Sequence, residues 1–456
     1  MKKPEHVVIA GAGLVGSLLA AMLTLRNYRV TVFEKRGDLR RQDMSAGRSI
    51  NLALAERGIH ALKIAGLMGD VEPLLIPMRG RLLHDRNGSL SFSPYGQRPN
   101  EVIYSVSRAE LNKLMMDATD RDSRSVLLFQ HEIESVDFDR QTINLMDTET
   151  DCQKTIEFDF LIGADGSGSQ IRQDLIKATD GSDDSEFLDH DYKELTIEPG
   201  IDGQFLMEKE ALHIWPRGGY MLIALPNLDC SYTVTLFLPR SSESTPSFDD
   251  LTTKQAVQDL FEQQFPDVVP MIPNLADEFF ENPTGQLGTV RCWPWIYEDR
   301  AMILGDAAHA IVPFHGQGMN AGFEDCAEFC RLLDKHDEDW SSTIQEFQII
   351  RKPNTDAIAE MALENYIIMR DSVTDEKFQL KKEIGFLLEK KFTDRFIPRY
   401  SLVMFHRVPY WETFERGQIQ DQILNQLTEG IDSLESLDWS RAGQLIESQL
   451  TKLQLD

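Results

Sequence analysis

Three glycines near the amino terminus, Gly11, Gly13 and Gly16, limit the possible folds of this chain more than any other feature. They follow a short β-branched run, His6–Ala10, and precede a stretch, Ser17–Arg26, that we predict to be helical. Gly11 permits a tight turn, Gly13 lets a pyrophosphate approach the backbone, and Gly16 lets helix and strand pack closely. This strand, turn and helix predict the opening of a doubly wound α/β domain.

A second predicted strand, Arg29–Phe33, ends on the acidic residue Glu34. A carboxylate at this place can accept hydrogen bonds from both hydroxyls of an adenosine ribose. The free N–H groups and the dipole of the preceding helix favour the negative charge of a pyrophosphate. We therefore predict a dinucleotide site that includes Glu34 and Arg36, against the alternative of a glycine turn without a ligand.

Two later segments bear on which dinucleotide is bound. Asp165–Gly166 and Gly305–Asp306 each follow a predicted buried strand, and the chain has only one GxGxxG fingerprint. In this order, the three segments resemble the FAD fingerprint of the class A flavoprotein aromatic hydroxylases. The resemblance implies that Asp165 lies at the cofactor and that Asp306 hydrogen-bonds the ribityl chain. From the residues alone, Asp306 could instead cap the following helix.

A glycine-rich loop, Pro313–Asn320, leads into a helix that we predict to begin near Gly318. A helix N-terminus at this place would direct its dipole at the flavin edge that becomes negative on reduction. His315 in this loop is our candidate catalytic residue. The alternative, which the residues leave equally open, is that His315 only stabilises the loop.

The predicted fold is α/β: a Rossmann-like FAD-binding domain of the para-hydroxybenzoate hydroxylase type, an antiparallel β-sheet substrate domain and a C-terminal helical region. Alternating apolar runs at Tyr220–Leu225 and Ser231–Leu238 predict the antiparallel strands. The Ser- and Asp-rich segment Gly181–Asp191 predicts a surface loop, and Ala55–Leu67 predicts a helix closed by Gly69. The predicted domains are residues 1–75, 101–180 and 285–335 for FAD, 76–100 and 181–284 for substrate, and 336–456 for the helical region.

Charge and cysteine content restrict partners and compartment. The chain has 46 Lys and Arg against 74 Asp and Glu, a formal net charge of −28. Such a surface repels nucleic acid and anionic lipid, so we expect neither as a partner. The five cysteines show no metal-ligand spacing, and we expect reduced thiols, no metal and a cytoplasmic location. The apolar run Val7–Leu25 imitates an export signal, but we interpret it as a strand and a helix.

Longer motifs make the resemblance more specific, covering roughly residues 5–410. They resemble the kynurenine 3-monooxygenase family in the segments Gly47–Leu54, Pro77–Arg81, Pro94–Gly96, Ser105–Asn112, Leu212–Arg217 and Gly305–Pro313. The resemblance implies that Arg81 and Tyr95 bind the substrate's carboxylate and that Asn365 and Tyr400 also contact the substrate. It further implies flavin contacts from Val15, Ala53, Arg108, Gly318, Met319 and Asn320.

The activity implied by this resemblance is hydroxylation of L-kynurenine to 3-hydroxy-L-kynurenine through a C4a-hydroperoxyflavin, in tryptophan catabolism and pyridine nucleotide biosynthesis. FAD would be bound tightly without a covalent link, with NADPH and O₂ as co-substrates. Three other interpretations remain: a related hydroxylase acting on another aromatic acid, a flavin-binding module without turnover, and a nicotinamide-only dehydrogenase. Some family members end in a membrane anchor, whereas Ile423–Asp456 is strongly polar, so we do not expect attachment to a membrane.

Overall fold

The computed structural model describes residues 4–41, 51–372 and 375–455. The first four residues of the Gly47–Leu54 motif lie outside the described residues. The chain divides into two compact units. The first unit comprises Met1–Leu75, Val106–Phe187 and Gly288–Asp356, and the second comprises Ile76–Ser105, Leu188–Leu287 and Ala357–Asp456. The helical region predicted from residue 336 onward is thus shared between the two units.

The strands are β1 (His6–Ala10), β2 (Arg29–Glu34), β3 (Asn51–Leu54), β4 (Ile76–Met78), β5 (Gly80–His84), β6 (Leu90–Pro94), β7 (Ile103–Ser107), β8 (Ser125–Phe129), β9 (His131–Asp137), β10 (Thr142–Asp147), β11 (Cys152–Glu157), β12 (Phe160–Gly163), β13 (Ser182–Asp183), β14 (Glu186–Ile197), β15 (Ala211–Pro216), β16 (Met221–Pro226), β17 (Tyr232–Pro239), β18 (Thr284–Thr289), β19 (Cys292–Trp293), β20 (Ile296–Tyr297) and β21 (Ala301–Ile303).

The helices are α1 (Leu14–Thr24), α2 (Glu56–Ile64), α3 (Met68–Val71), α4 (Arg108–Asp120), α5 (Gln170–Thr179), α6 (Lys254–Gln264), α7 (Leu275–Glu281), α8 (Asp306–His309), α9 (Gly318–Lys335), α10 (Trp340–Ile367), α11 (Glu376–Lys391), α12 (Arg399–Phe405), α13 (Tyr410–Leu427) and α14 (Trp439–Gln449).

A six-stranded sheet forms the centre of the first unit, with the strand order β20-β21-β12-β1-β2-β8. The strands from β21 to β8 pair in parallel, and β20 is antiparallel to β21. The strands β1, β12 and β21 are almost wholly apolar and buried, as expected when both faces of a parallel sheet are covered. The predicted strand–turn–helix–strand opening and the doubly wound α/β fold are confirmed.

The predicted surface loop over Gly181–Asp191 is wrong. Ser182–Asp183 pairs with Cys292–Trp293, and β14 begins at Glu186. The polar side chains of this segment are mostly exposed, so its composition resembles that of a loop, although its backbone pairs with distant strands.

The end predicted for the helix over Ala55–Leu67 is also wrong. The helix α2 stops at Ile64, and Gly66 follows with a φ of +71°, a left-handed conformation that glycine adopts without strain. The N–H of Leu67 then donates to the carbonyl of Leu62, which closes the last turn. Gly69 lies inside the next helix, α3.

A seven-stranded sheet with the order β18-β14-β17-β16-β15-β5-β6 dominates the second unit. The strands β16 and β17 are antiparallel, which confirms the prediction from their alternating pattern. The sheet's apolar face packs with the buried side chains of α6 and α7, among them Val257, Phe261 and Phe279.

The chain is mainly helical after Phe323, as predicted. Within the second unit, α11, α13 and α14 share a buried apolar cluster that includes Ile384, Leu388, Ile423 and Ile446. Across the described residues, no helix has both the length and the apolar character needed to span a membrane.

Candidate functional site

The glycines of the amino-terminal motif interlock the first strand and helix of the first unit. Gly11 has a φ of +96°, and a Cβ there would lie 2.6 Å from the carbonyl oxygen of Ala164. A Cβ on Gly16 would lie 2.0 Å from the carbonyl oxygen of Gly11. Neither position accepts a side chain, so both glycines are required by packing before any ligand is considered.

Gly13 differs from the two other glycines, because a Cβ there would meet no atom within 4 Å. It is the N-cap residue of α1, and no side chain of the described part of the chain caps this helix. Open space therefore lies in front of a buried helix whose first N–H groups can donate to an anion. These features fit the pyrophosphate of a dinucleotide.

The carboxylate of Glu34 lies at the end of β2 and is only 5% exposed. One oxygen accepts from the backbone N–H of Ala12 at 3.0 Å. The other accepts from the backbone N–H and the Nε of Arg36, at 3.0 and 2.9 Å. The charge of Glu34 is thus held beside the glycine turn, where the predicted ribose contact requires it.

The three sequence segments that resemble an FAD fingerprint converge in the first unit. Their strands β1, β12 and β21 are neighbours in one parallel sheet, so their carboxyl ends share an edge. A Cβ on Gly305 would lie 3.2 Å from a methyl group of Val15, and a Cβ on Gly322 would lie 2.6 Å from its other methyl group. Val15 thus packs directly against the late motif and against α9.

The structure gives the two predicted acidic ligands different environments. Asp165 accepts from the Ser169 hydroxyl at 2.6 Å and from the Gln170 N–H at 2.8 Å, so it holds the first turn of α5. Burial raises the pKa of Asp165. Asp306 accepts no hydrogen bond from a described residue, and Gly305 occupies the N-cap position of α8. The alternative role of Asp306 as an N-cap is therefore wrong.

Sequence reasoning missed Asp325, which fixes the backbone beside Asp306. One of its oxygens accepts from the Gly305 N–H at 2.9 Å and lies 2.5 Å from Nε2 of His309. Its other oxygen accepts from Nε of Arg351 at 2.7 Å. Burial opposes the charge, but His309 and Arg351 hold the pKa of Asp325 below its ordinary value. His309 lies in the late motif, but nothing in the sequence pairs it with Asp325.

Asn320 connects β3 to the glycine-rich loop. Its amide nitrogen donates to the carbonyls of Ala53 and Gly316, both at 2.8 Å, and its amide oxygen accepts from the Ala55 N–H at 2.9 Å. A Cβ on Gly316 would lie 3.0 Å from the Ala53 Cβ. The predicted contacts Ala53 and Asn320 are therefore brought together in the first unit.

Four further predicted residues lie in the first unit. Gly318 begins α9 as predicted, and Met319 is 8% exposed in its first turn. His315 is 5% exposed in the short turn before α9. Arg108 is the exposed first residue of α4, where a cation is unfavourable to the helix dipole and an anionic ligand would offset it.

The four predicted substrate-binding residues come together in the second unit. The guanidinium of Arg81, on β5, lies 5.0 Å from the ring centre of Tyr400 and 5.8 Å from that of Tyr95. The two rings are stacked, with centres 5.4 Å apart. An Nη of Arg81 lies 3.5 Å from Oδ1 of Asn365, at the limit of a hydrogen bond.

The chemistry of this cluster suits an anion. Burial disfavours the charge of Arg81, but the phenols of Tyr400 and Tyr95 keep its pKa above the ordinary value. Burial raises the pKa of both phenols, so they remain protonated donors. The Nε of Arg81 and the hydroxyl of Tyr95 are buried and make no well-formed hydrogen bond within the described residues. Such groups are costly unless a ligand engages them.

The segment that carries Tyr95 is tied to α11. Gln97 donates to Glu389 at 2.7 Å, and Arg98 pairs with the same carboxylate at 2.9 Å. Lys382, also on α11, donates to the Ser93 hydroxyl and to the Pro94 carbonyl. Sequence reasoning missed these residues, because nothing local indicates that α11 lies along this segment.

The chain is similar to known proteins over nearly its whole length. Residues 5–343 match the model of a family described as an FAD binding domain. A kynurenine 3-monooxygenase of Stenotrophomonas maltophilia is 44% identical over 98% of this chain and 97% of its own length. A protein of the same name from Myxococcus xanthus is 43% identical over 98% of this chain and 96% of its own length.

Solved structures show the same fold at lower identity. The tetrameric form of 2-methyl-3-hydroxypyridine-5-carboxylic acid oxygenase covers 82% of this chain and 94% of its own, with a TM-score of 0.65 and 18% identity. Pseudomonas aeruginosa PqsL in complex with 2-aminobenzoylacetate covers 80% of this chain and 97% of its own, with a TM-score of 0.64 and 19% identity.

Proposed function

We propose a reaction for this chain from its family, because it belongs to the kynurenine 3-monooxygenase family of FAD-binding proteins. In this proposal the protein hydroxylates L-kynurenine to 3-hydroxy-L-kynurenine with NADPH and O₂. The protein is an FAD-dependent monooxygenase. Its substrate is a small aromatic molecule. The identity of that molecule and the residues that bind it belong to this proposal.

The first unit would hold FAD non-covalently. The backbone at Gly11 and Gly13 would bind the pyrophosphate, Glu34 the adenosine ribose, and Asp306 the ribityl chain. The glycine loop before α9 and the exposed Arg108 supply positive potential for the flavin and its phosphates. When bound, the flavin supplies the hydride acceptance and the oxygen activation that no side chain can provide.

The second unit would hold the substrate's amino-acid end. Arg81 would bind the carboxylate through its planar fork, with the Tyr95 and Tyr400 hydroxyls as further donors. The aniline nitrogen of kynurenine donates electrons to the ring carbon ortho to it, so the ring itself is activated at the position that is hydroxylated. The protein's part is therefore to orient the ring and to exclude water.

One observation carries the substrate assignment. The buried Nε of Arg81 and the buried hydroxyl of Tyr95 are donors without a well-formed hydrogen bond within the described residues, and they lie beside the stacked rings of Tyr95 and Tyr400 in the second unit. A flavin-binding module without turnover has no use for such a carboxylate site, because burying these groups costs free energy. A substrate that lacks the carboxylate would leave the donors unpaired and would be strongly disfavoured.

We also propose His315 as a catalytic residue. Its ring is buried in the turn before α9. If it contacts the reacting groups, His315→Asn should lower kcat for L-kynurenine at least tenfold while KM and FAD content stay near wild type. An unchanged kcat would assign it to the structure of the loop.

A cytoplasmic location is part of the same proposal. All five cysteines are free, and Cys292, Cys326 and Cys330 are buried. Burial raises the pKa of the Cys292 thiol to about 12, which keeps it protonated and unreactive. This pattern suits a reducing compartment. The acidic surface repels nucleic acid, so we propose no such partner.

The test is turnover of the purified, FAD-loaded protein with two aromatic acids. NADPH oxidation and product formation should be stimulated by L-kynurenine and not by para-hydroxybenzoate, and the product should have the mass and retention of 3-hydroxy-L-kynurenine. Stimulation by para-hydroxybenzoate alone would assign the chain to another aromatic acid. Bound FAD without substrate-stimulated NADPH oxidation would favour a flavin-binding module without turnover. A colourless protein that takes up no FAD would favour a nicotinamide-only dehydrogenase.

A further inference from the structure

Lys382 on α11 is hydrogen-bonded to β6, the edge strand of the seven-stranded sheet of the second unit. Its ammonium donates to the Ser93 hydroxyl, and to the Pro94 carbonyl at 2.8 Å. A protonated lysine has three N–H donors, so one remains for another acceptor. The side chain is partly buried, and its ammonium lies 5.6 Å from the ring centre of Phe386.

The strand register places this ammonium beside Arg81 and Tyr95, two residues of the proposed carboxylate site. Ser93 is directly opposite Arg81 in the antiparallel pairing of β5 with β6. Residues opposite each other in such a pair project from the same face with their Cβ atoms about 5 Å apart. Pro94, the other acceptor, immediately precedes Tyr95. Lys382 is therefore bonded on one side to the neighbour of Arg81 and on the other to the neighbour of Tyr95.

The surroundings of Lys382 place its pKa near neutral pH, so both the protonated and the neutral form of its amine are populated there. Burial, and to a smaller extent the positive charge of Arg81, together lower the pKa of Lys382 to about 7. The strand β6 carries no ionisable side chain. The phenols of Tyr95 and Tyr400 stay neutral, because burial raises the pKa of each. Arg81 is thus the charge that Lys382 faces.

We propose that Lys382 is a second cationic ligand for the substrate's carboxylate and that it takes up a proton when the carboxylate binds. This inference rests on the proposed function, because it uses the same cluster. A bound carboxylate offsets the repulsion from Arg81 and gives the third N–H an acceptor, so it favours the protonated lysine. Affinity then falls as the pH rises above about 7, approaching about tenfold per pH unit.

The experiment is calorimetric titration of the FAD-loaded protein in buffers that differ in ionisation enthalpy. One probe is L-kynurenine, and the other is 4-(2-aminophenyl)-4-oxobutanoate, which lacks the α-amino group and its titration. Both should bind with uptake of a fraction of a proton at pH 7.5. Proton release on binding, or an affinity that rises with pH, would overturn the proposal. If neither probe binds, the proposed substrate is wrong as well.

Three variants separate this role from a structural one. Lys382→Arg keeps the charge but does not titrate near neutrality, so it should bind both probes without proton uptake and with a flat pH profile. Lys382→Met should bind both probes more weakly below pH 7 and should also lose the uptake. The control is Lys381→Met, because Lys381 is the adjacent lysine and bonds to Asn425 instead. Wild-type proton uptake in Lys382→Arg would refute the assignment while leaving the proposed function intact.

Discussion

The rings of Tyr95 and Tyr400 stack with an interplanar angle of 12° and a separation of 5.4 Å between their centres. The guanidinium of Arg81 lies over both rings. A cation over two aromatic faces gains from their quadrupoles and loses rotational freedom. The stack therefore restricts the orientation of the arginine, which would reduce the entropy cost of binding the proposed carboxylate.

Removing the guanidinium should weaken substrate binding selectively. Arg81→Ala deletes charge-assisted hydrogen bonds that contribute about 1.5–3 kcal/mol, so KM for L-kynurenine should rise by about ten- to a hundredfold. FAD content, measured by flavin absorbance, should stay at the wild-type level. The matched control is Arg79→Ala. Arg79 lies two positions before Arg81 and pairs with Glu210 at the surface. An unchanged KM in Arg81→Ala would remove the carboxylate role.

The hydroxyl of Tyr95 can be tested without disturbing the stack. Tyr95→Phe keeps the ring and removes only the buried donor, so a neutral hydrogen bond of about 1 kcal/mol is lost to the ligand. We expect KM for L-kynurenine to rise about fivefold, with thermal stability equal to or above that of the wild type. Steady-state kinetics and a melting curve measure the two quantities. A fall in stability together with an unchanged KM would show that the hydroxyl serves the fold instead.

Alanine substitution at two glycines of the amino-terminal turn should affect different properties, stability at Gly16 and FAD affinity at Gly13. In Gly16→Ala the new Cβ would lie 2.0 Å from a backbone oxygen, so the free energy of unfolding should fall by about 3 kcal/mol. In Gly13→Ala the Cβ enters open space on an extended backbone, so the apoprotein should unfold as the wild type does. Only FAD affinity should fall. Denaturant titration of the apoproteins and flavin binding separate these effects. A Gly13→Ala protein with wild-type FAD affinity would exclude the predicted pyrophosphate position.

The sequence was a good guide to the elements whose patterns are local. The opening strand and helix follow from a glycine turn between apolar runs, and β16 and β17 follow from alternating side chains. It failed over residues 181–191, because the pairing partners of that segment are more than 40 residues away. Hydrogen bonds to a distant strand leave no trace in local composition.

The same distinction holds for the candidate sites. Motif residues such as Gly13 and Asp306 could be proposed from the sequence, because the motif has a fixed order of strand, turn and helix. Asp325 and Lys382 could not. Asp325 acts on a backbone N–H 20 positions earlier in the chain, and Lys382 bonds to a serine 289 positions away.

Loss of the charge on Glu34 should weaken FAD binding alone. Glu34→Gln keeps the size of the side chain and an acceptor for the Ala12 N–H but weakens the hydrogen bonds expected from the ribose. The dissociation constant for FAD, measured by flavin fluorescence, should rise about tenfold. The control is Glu132→Gln, an exposed carboxylate paired with Lys35 at 4.0 Å. A change in KM for L-kynurenine at saturating FAD would contradict the assignment.

A partly buried chain of hydrogen bonds lies in the second unit. Asp267 accepts from Nε1 of Trp215 at 2.8 Å and lies 2.9 Å from Nδ1 of His84. Nε2 of His84 lies 2.9 Å from Nδ1 of His213, whose Nε2 lies 2.7 Å from the Glu208 carbonyl. Because that carbonyl can only accept, His213 carries its proton on Nε2 and accepts from His84. A second proton on His213 would have no acceptor among these partners.

This chain should make stability depend on pH between about 4 and 6.5. Burial, more than the neighbouring His84, lowers the pKa of His213 from 6.5 to about 4. Between those values the unfolded chain binds a proton that the folded chain does not, so stability decreases as the pH falls through this range. The contribution is about 3 kcal/mol at most, since one pKa unit corresponds to about 1.4 kcal/mol. Denaturant unfolding of His213→Gln should therefore show a shallower decline than the wild type from pH 6.5 to 4.5. The control is His131→Gln, because His131 is a half-exposed histidine of the first unit outside this network. Equal slopes in the wild type and in His213→Gln would exclude this role for His213.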